Sequence, residues 1–174
     1  MIGGSGPSGP ESVRPGLSRI VSAFSRSGHP EKSFRTLHVA GTNGKGSTAC
    51  FAYDVLRRLP IAPLGLYTSP HLVAPEERIR VDGVTISPKA LRDAFRSAER
   101  LSLEGDPLTY FEKMTWAACE WFRRKGVRFV VMETGLGGRW DATSACRPAV
   151  SVITTVGYDH REWLGKTLGS IAAE

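Results

Sequence analysis

The sequence has 174 residues, of which 41% are hydrophobic and 23% are charged, as is usual for globular domains. No apolar run approaches the roughly 20 residues that span a bilayer. Three cysteines without close pairs argue against a disulfide framework and favour a reducing, cytoplasmic location. The net charge of +6 is uneven, because residues 1–60 carry 8 Lys and Arg against 3 Asp and Glu. A basic half suits a polyanion such as a nucleotide or nucleic acid, or is only a mildly basic surface.

The amino-terminal residues 1–12 are rich in Gly, Ser and Pro, which is typical of a flexible tail. Residues 13–174 are expected to form one domain. The Arg- and Ser-rich residues 12–28 superficially resemble a transit peptide. Four apolar residues in this segment nevertheless recur at helical spacing: Leu17, Ile20, Val21 and Phe24. We therefore favour a structural helix there.

Strands and helices are predicted to alternate along the rest of the chain. Runs with strand character lie at 34–40, 64–67, 127–132 and 149–156. Apolar residues at helical spacing lie within 49–59, 87–101 and 110–125, and another helix begins at 167. The connection 68–84 is long, polar and contains proline, so we expect a functional loop. This alternation predicts an α/β fold with a mostly parallel sheet flanked by helices.

Candidate ligand-binding residues follow each of the four predicted strands. A Gly-rich loop follows the first strand, Ser69 the second, Glu133 the third and His160 the fourth. In open parallel sheets, ligands bind beyond the carboxyl ends of the strands. We therefore expect these four features to converge on one rim of the sheet.

The Gly-rich loop, residues 41–47, reads Gly-Thr-Asn-Gly-Lys-Gly-Ser and lies between a predicted strand and a predicted helix. Glycines let backbone N–H groups converge on phosphate oxygens, and the helix start adds a positive dipole end. Lys45 would reach the β- and γ-phosphates as a point charge. The general phosphate-loop pattern is matched imperfectly, because Val39 replaces its first Gly and Gly46 stands where Ser or Thr is expected. The alternative is a Gly-rich turn that caps a helix, with Lys45 merely exposed.

This departure from the general phosphate-loop pattern is similar to one found in a known family. Residues 38–47 resemble the shortened phosphate loop of the Mur-ligase superfamily, and specifically that of folylpolyglutamate synthase and dihydrofolate synthase. Further segments resemble that family in the same order: 16–20, 67–72 with 77–81, 109–112, 133–143 and 157–165. The resemblance implies a Mur-ligase-like central ATPase domain with a P-loop, and a carboxy-terminal domain that this sequence lacks.

The resemblance also implies ATP and Mg²⁺ as cofactors and a role for individual residues. The residues that would hold the ATP phosphates are Gly41, Thr42, Asn43, Gly44, Lys45, Gly46 and Ser47. The residues that would bind magnesium are Ser69, Glu133 and His160. The residues that would line the pterin or pteroate site are Thr109, Tyr110, Phe111, Glu112, Trp140, Asp141 and Ala142. The catalytic residues would be Lys45, Glu133 and His160.

The sequence departs from the family at several positions. Trp140 stands where the family commonly has Leu, Ser144 where it commonly has Asn, and Tyr158 varies the residue before Asp-His. None of these changes removes a proposed ligand. The family continues with a lysine that is carbamylated to bridge magnesium, whereas this sequence stops at Glu174. The sequence is therefore expected to be part of a roughly twofold longer enzyme.

Simpler interpretations stay open for most of these residues. Glu133 could be a capping carboxylate, and His160 could be a structural histidine. Asp141 could be an Asx-type turn residue. Phe111 and Trp140 could stack on a pterin ring or belong to the core.

The expected activity is that of an ATP-dependent ligase. It would add L-glutamate to dihydropteroate, to tetrahydrofolate polyglutamates, or to both, through an acyl phosphate. The partners would be small molecules (dihydropteroate or folate, L-glutamate and ATP) rather than nucleic acid or membrane, and the protein would be a monomer. The fragment by itself is expected to be inactive. The alternatives are another Mur-type amide ligase acting on a different carboxylate and a truncated module that only binds.

Overall fold

A computed structural model describes residues 14–174. The flexible tail predicted for residues 1–12 lies outside this range. The strands are β1 Arg35–Ala40, β2 Leu64–Tyr67, β3 Ile79–Val81, β4 Val84–Thr85, β5 Phe129–Glu133 and β6 Val150–Ile153. The helices are α1 Ser18–Arg26, α2 Lys45–Leu56, α3 Pro88–Arg100, α4 Tyr110–Arg124, α5 Arg161–Leu164 and α6 Leu168–Ala173. Within the described residues, no helix has both the length and the apolar character to cross a membrane.

The strands form one six-stranded mixed sheet in the order β4-β3-β2-β5-β1-β6. The neighbouring pairs among β2, β5, β1 and β6 are parallel, whereas β3 and β4 run antiparallel to their neighbours. The predicted mostly parallel α/β fold is therefore confirmed. The four parallel strands bring their carboxyl ends to one rim, which is where the predicted site residues follow them.

The segment 68–84 differs from the predicted loop. Its first part is irregular, but Pro75–Arg78 forms a 3₁₀ turn and β3 then pairs with both β2 and β4. Asp82 and Gly83 turn the chain in left-handed conformations with φ of 48° and 87°. An Asp-Gly pair between apolar residues is a strong hairpin signal, and it determines the structure here despite the polar composition of the segment.

The core has one layer on each face of the sheet. Helices α1, α3 and α4 cover one face, and α2 covers the other. Strand β5 is buried on both sides, because Val130 and Met132 pack under α4 while Val131 packs under α2. Such two-sided burial explains why β5 is a continuous apolar run rather than an alternating one.

The helix predicted in the first segment is confirmed as α1. Its inward residues include Ile20 and Phe24, which are fully buried. Val21, however, is 48% exposed and does not belong to the buried face. The buried face of α1 is formed by Ile20, Ala23 and Phe24, and Val21 lies outside it and points to solvent.

Candidate functional site

The phosphate-loop residues and the end of β6 are held together by hydrogen bonds. The Thr42 backbone N–H donates to the Thr155 carbonyl at 2.7 Å, and the Thr154 hydroxyl donates to the Asn43 carbonyl at 2.7 Å. Gly41 has φ of +131°, and a Cβ there would lie 2.2 Å from the Thr154 Oγ1 atom. Only glycine fits this close approach, so the loop follows β1 along one defined path.

The start of α2 has no side-chain cap. Gly44 is the N-cap in a left-handed conformation, and no side chain accepts a hydrogen bond from the first turn. The first intrahelical bond runs from the Thr48 N–H to the Gly44 carbonyl at 2.9 Å. The N–H groups of Lys45, Gly46 and Ser47 therefore have no acceptor within the helix. Together with the helix dipole they form a place for an anion.

Lys45 adds a positive charge at the same position. Its Nζ atom donates to the Gly41 carbonyl at 2.9 Å and to the Thr42 carbonyl at 3.1 Å. The ammonium is thus held over the loop rather than extended into solvent, and the side chain is half-buried. The alternative of a merely exposed lysine does not describe this geometry.

Glu133 ends β5 and faces the first turn of α2. It is 3% exposed, and its Oε2 atom accepts from the Ser69 backbone N–H at 2.9 Å. A Cβ on Gly46 would lie 3.4 Å from Oε1, so the carboxylate lies directly against the helix start. Burial raises the pKa of Glu133, although the Ser69 N–H and the charges of Lys45 and Arg78 oppose that rise. A desolvated carboxylate of this kind would gain from a hard divalent cation.

The predicted metal ligands come together only in part. Ser69 and Glu133 are in contact, but no hydrogen bond or ion pair joins His160 to either residue. His160 is exposed in a left-handed conformation, with Asp159 and Glu162 as its charged neighbours. Within residues 14–174, no group of three or more His, Cys, Asp or Glu side chains is arranged to hold a metal ion.

A cleft of about 460 Å³ opens beside the loop. Its walls include Thr42, Lys45, the loop 135–139 and His160. The volume falls in the range of roughly 300–1,000 Å³ that small-molecule sites occupy. The cleft therefore brings Lys45 and His160 to one cavity, even though His160 does not reach Glu133.

The residues at the start of α4 serve the fold in this structure. The buried Glu112 carboxylate accepts from the Thr109 N–H at 2.7 Å and from the Arg19 Nε atom at 3.0 and 3.1 Å. The Thr109 hydroxyl completes a capping box by accepting from the Glu112 N–H at 3.2 Å. Phe111 is half-buried, with its ring 6.2 Å from that of Tyr67.

The other residues predicted to line the pterin or pteroate site, at 140–142, also stabilise local structure. Asp141 is buried, and its Oδ2 atom accepts from the N–H groups of Gly135 and Leu136 at 2.8 and 2.9 Å. Its Oδ1 atom accepts from both the N–H and the hydroxyl of Thr143. Four donors fill the acceptor positions of one carboxylate, as a turn-forming aspartate would require. Ala142 lies in the core, and Trp140 is 54% exposed.

Sequence reasoning missed His38, which is buried in β1 just before the loop. Its Nε2 atom lies 2.6 Å from the Thr143 hydroxyl oxygen, and that hydroxyl donates its only proton to Asp141. His38 must therefore donate through Nε2–H. Burial lowers the pKa of His38 to about 4, so the ring is neutral near neutral pH. Its position beside the Gly-rich loop could have marked His38 as a candidate residue. Its role could not be predicted, because its partner Thr143 lies 105 residues away in the sequence.

Comparison with known proteins agrees with this geometry. Residues 39–174 match the Mur ligase middle domain. The chain is 44% identical over 169 residues to the dihydrofolate synthase/folylpolyglutamate synthase of Bacillus subtilis, covering 93% of this chain and 39% of that protein. A structure of Escherichia coli FolC in complex with DHPP and ADP has a TM-score of 0.86 and 37% identity, covering 94% of this chain and 39% of the other.

A third relative is a bifunctional folylpolyglutamate synthase/dihydrofolate synthase with Mn, AMPPNP and L-glutamate bound. It has a TM-score of 0.82 and 37% identity, and it covers 91% of this chain and 39% of the other. The chain thus spans about two fifths of the length of the relatives it matches. It belongs to the Mur ligase middle-domain family, in the branch of the folylpolyglutamate and dihydrofolate synthases.

Proposed function

We propose that the protein to which this chain belongs is an ATP-dependent ligase that joins L-glutamate to a pteroate or folate carboxylate. The observation that carries the proposal is the uncapped start of α2, with Lys45 held over it and the Glu133 carboxylate against its first turn. In this arrangement, Lys45 and the helix start could bind the phosphates of ATP, and the Glu133 carboxylate could bind the Mg²⁺ ion that accompanies them. The relatives, whose structures hold ADP, AMPPNP or L-glutamate, support the same chemistry.

The nucleotide would lie with its phosphates on residues 41–47. The free N–H groups of the first turn of α2 would donate to phosphate oxygens, and the Lys45 ammonium would leave the loop carbonyls to meet the β- and γ-phosphates. Positive groups there would stabilise the charge that develops on the transferred phosphoryl group. The uncapped helix start and the Lys45 ammonium fit this role.

A magnesium ion would be held from the Glu133 side. Glu133 and the Ser69 hydroxyl offer hard oxygen ligands beside the helix start, which fits the chemistry of Mg²⁺. When bound, the ion would neutralise phosphate charge. His160, which lines the cleft, would contribute as a ligand or by orienting one.

The chemistry would proceed in two displacements. An oxygen of the acceptor carboxylate attacks the γ-phosphorus, the bond to the β-phosphate oxygen breaks, and ADP leaves with an acyl phosphate formed. The glutamate amine then attacks the acyl carbon, loses a proton, and phosphate departs. The residues near α4 and those at 140–142 would border the acceptor through their backbone and exposed surfaces. This role is compatible with the internal hydrogen bonds of Glu112 and Asp141.

The remaining assignments belong to the same proposal. Residues 13–174 would act as one ATP-binding domain of a monomeric cytoplasmic enzyme, with small molecules as its partners. The three cysteines are free thiols in this structure, which suits a reducing compartment. Glutamate would be received by parts of the longer protein.

Ligand-induced thermal stabilisation tests the nucleotide site. At about 100 times the dissociation constant, Mg²⁺ and ATP should stabilise the chain by about 2.7 kcal/mol, or roughly 5 to 10 °C in Tm. Lys45→Ala should remove most of this shift. Lys89→Ala, which changes an exposed lysine on α3, should retain it. A full shift in Lys45→Ala would contradict the proposed phosphate site.

Acceptor specificity needs its own measurement. In the presence of ADP and Mg²⁺, titration calorimetry should detect binding of dihydropteroate and no binding of a nucleotide-sugar peptide. The reverse preference would assign the chain to a ligase that acts on a cell-wall precursor. If the chain binds nucleotide but neither of the two acceptors, the folate assignment is contradicted and the nucleotide site is not.

A further inference from the structure

Arg78 is a buried cation for which the described residues provide no acidic partner. It ends the 3₁₀ turn Pro75–Arg78 and is 8% exposed. Its only side-chain hydrogen bond is from Nε to the Nδ1 atom of His71, at 2.9 Å. Arg19, the other buried arginine, is paired with Glu112 at 3.0 Å. Burying a charge without a counter-charge is costly, so an unpaired guanidinium in this position calls for a ligand.

Within the described residues, neither Glu133 nor the two acids that precede Arg78 in its turn, Glu76 and Glu77, form an ion pair with its guanidinium. Glu77 uses its carboxylate to accept from the backbone N–H groups of residues 72–74, at 2.7–3.0 Å. Glu133 accepts from Ser69 and lies against α2. Among residues 14–174, no carboxylate oxygen forms an ion pair with the guanidinium within 4 Å. The positive charge of Arg78 is therefore available to an incoming anion.

The position of Arg78 indicates which anion this is. Its guanidinium carbon lies 5.8 Å from the centre of the Tyr110 ring, at the start of α4. Its charge also acts on Glu133, where it opposes the rise in pKa that burial causes. Arg78 thus lies against the start of α4 and is close enough to Glu133 for its charge to act there. It is not among the residues that line the nucleotide cleft.

His71 determines which edge of the guanidinium is presented. Because Nε donates to His71, the edge formed by Nη1 and Nη2 remains for a ligand. Two parallel N–H donors in a fixed plane match the two oxygens of a carboxylate. The cation–π contact with the Tyr110 ring restrains the guanidinium further.

We propose that Arg78 binds the reacting carboxylate of the acceptor and holds it between the start of α4 and the γ-phosphate. This inference rests on the proposed function, and it assigns to Arg78 a contact that the sequence patterns did not. A carboxylate paired in this way is oriented for attack on phosphorus. The same contact distinguishes an acceptor with a free carboxylate from its neutral derivatives.

Two ligands that differ only in this charge test the contact. Calorimetry on the chain, with ADP and Mg²⁺ present, would compare pteroate with pteroate methyl ester. The wild-type chain should bind pteroate about tenfold to a hundredfold more tightly than the ester, as a charge-assisted pair requires. Arg78→Gln should bind both at the affinity of the ester, and Arg78→Lys should retain part of the preference.

Controls separate the contact from damage to the fold. Arg80→Gln, on the half-buried neighbour in β3, should keep the full preference, and ADP affinity should be equal in all variants. Equal affinity of the wild-type chain for acid and ester would overturn the Arg78 contact. The same conclusion follows if Arg78→Gln keeps the preference, or if Arg78→Gln and Arg78→Lys both weaken acid and ester to the same extent. Absence of any pteroate binding, with ADP bound normally, would overturn the proposed acceptor and the Arg78 contact together.

Discussion

His38 connects the strand before the phosphate loop to the loop that follows β5. Its ring donates to Thr143, Thr143 donates to Asp141, and Asp141 holds the N–H groups of Gly135 and Leu136. The walls of the cleft on the β1 and β5 sides therefore share one buried network. Such networks are rigid when every member is satisfied, as it is for Asp141.

The low pKa of His38 predicts a pH dependence of stability. In the unfolded chain the ring has its ordinary pKa of 6.5, whereas in the folded chain it is about 4. As pH falls through this window the unfolded chain gains the proton first, so stability decreases. Between about pH 7.5 and about pH 5 the loss due to His38 should be about 2 kcal/mol.

Urea denaturation at these two pH values measures the effect. His38→Asn should lower stability at the higher pH, because the network loses its donor geometry, but it should remove this part of the pH dependence. His160→Gln, which changes an exposed histidine, should retain the wild-type dependence. An unchanged dependence in His38→Asn would show that the ring is not the titrating group.

At the level of elements, the connection between β1 and α2 depends on two glycines that act for different reasons. Gly41 must approach the end of β6, where a Cβ would collide with Thr154. Gly44 has φ of +82° with nothing within 4 Å of an added Cβ, so only its backbone conformation favours glycine. Backbone conformation therefore favours glycine at both positions, and the close contact with Thr154 adds a second requirement at Gly41 only.

The two alanine substitutions should have unequal costs. Gly44→Ala should lower the free energy of unfolding by about 1 kcal/mol, from the left-handed conformation alone. Gly41→Ala should cost roughly 3 kcal/mol, because the loop must also move away from β6. Guanidinium denaturation of both variants gives the comparison, and equal costs would contradict the close approach described for Gly41.

At the level of the whole molecule, a buried ion pair joins the first helix to the centre of the fold. Arg19 of α1 and Glu112 of α4 are 93 residues apart in sequence, and both side chains are almost fully buried. The pair fixes α1 against α4, and α4 in turn covers β5. Glu112 therefore contributes to the architecture, whatever its surroundings contribute to the acceptor site.

Breaking this pair should destabilise the whole domain. Glu112→Gln leaves the buried Arg19 with only the more distant Asp106, at 3.9 Å, as an acidic partner, and should cost about 3 kcal/mol. The double variant Arg19→Met with Glu112→Gln should recover part of the loss, because no charge then remains unpaired. Thermal unfolding of the wild type, the two single variants and the double variant gives a double-mutant cycle, from which the interaction energy of the pair is obtained. Strict additivity of the two single effects would contradict the pairing.

Much of the architecture could be predicted from local pattern. The strands at β1, β2 and β5 and the helices α3 and α4 lie within one or two residues of their predicted bounds, because apolar periodicity reports which face is buried. Strand β6 is shorter than predicted, and α2 begins earlier, at Lys45 itself. The hairpin of β3 and β4 was missed, although Asp82 and Gly83 marked its turn.

By itself, the sequence determined the Gly-rich loop 41–47 and the rim of the sheet on which it lies, since both follow from residues that are neighbours in the chain. Only the tertiary structure decided how the charged groups are used. Glu112 and Asp141 accept hydrogen bonds from within the fold, His38 is neutral in a buried network, and Arg78 has no acidic partner among residues 14–174. Whether a charge is paired depends on distances between segments far apart in sequence, and local pattern carries no information about those distances.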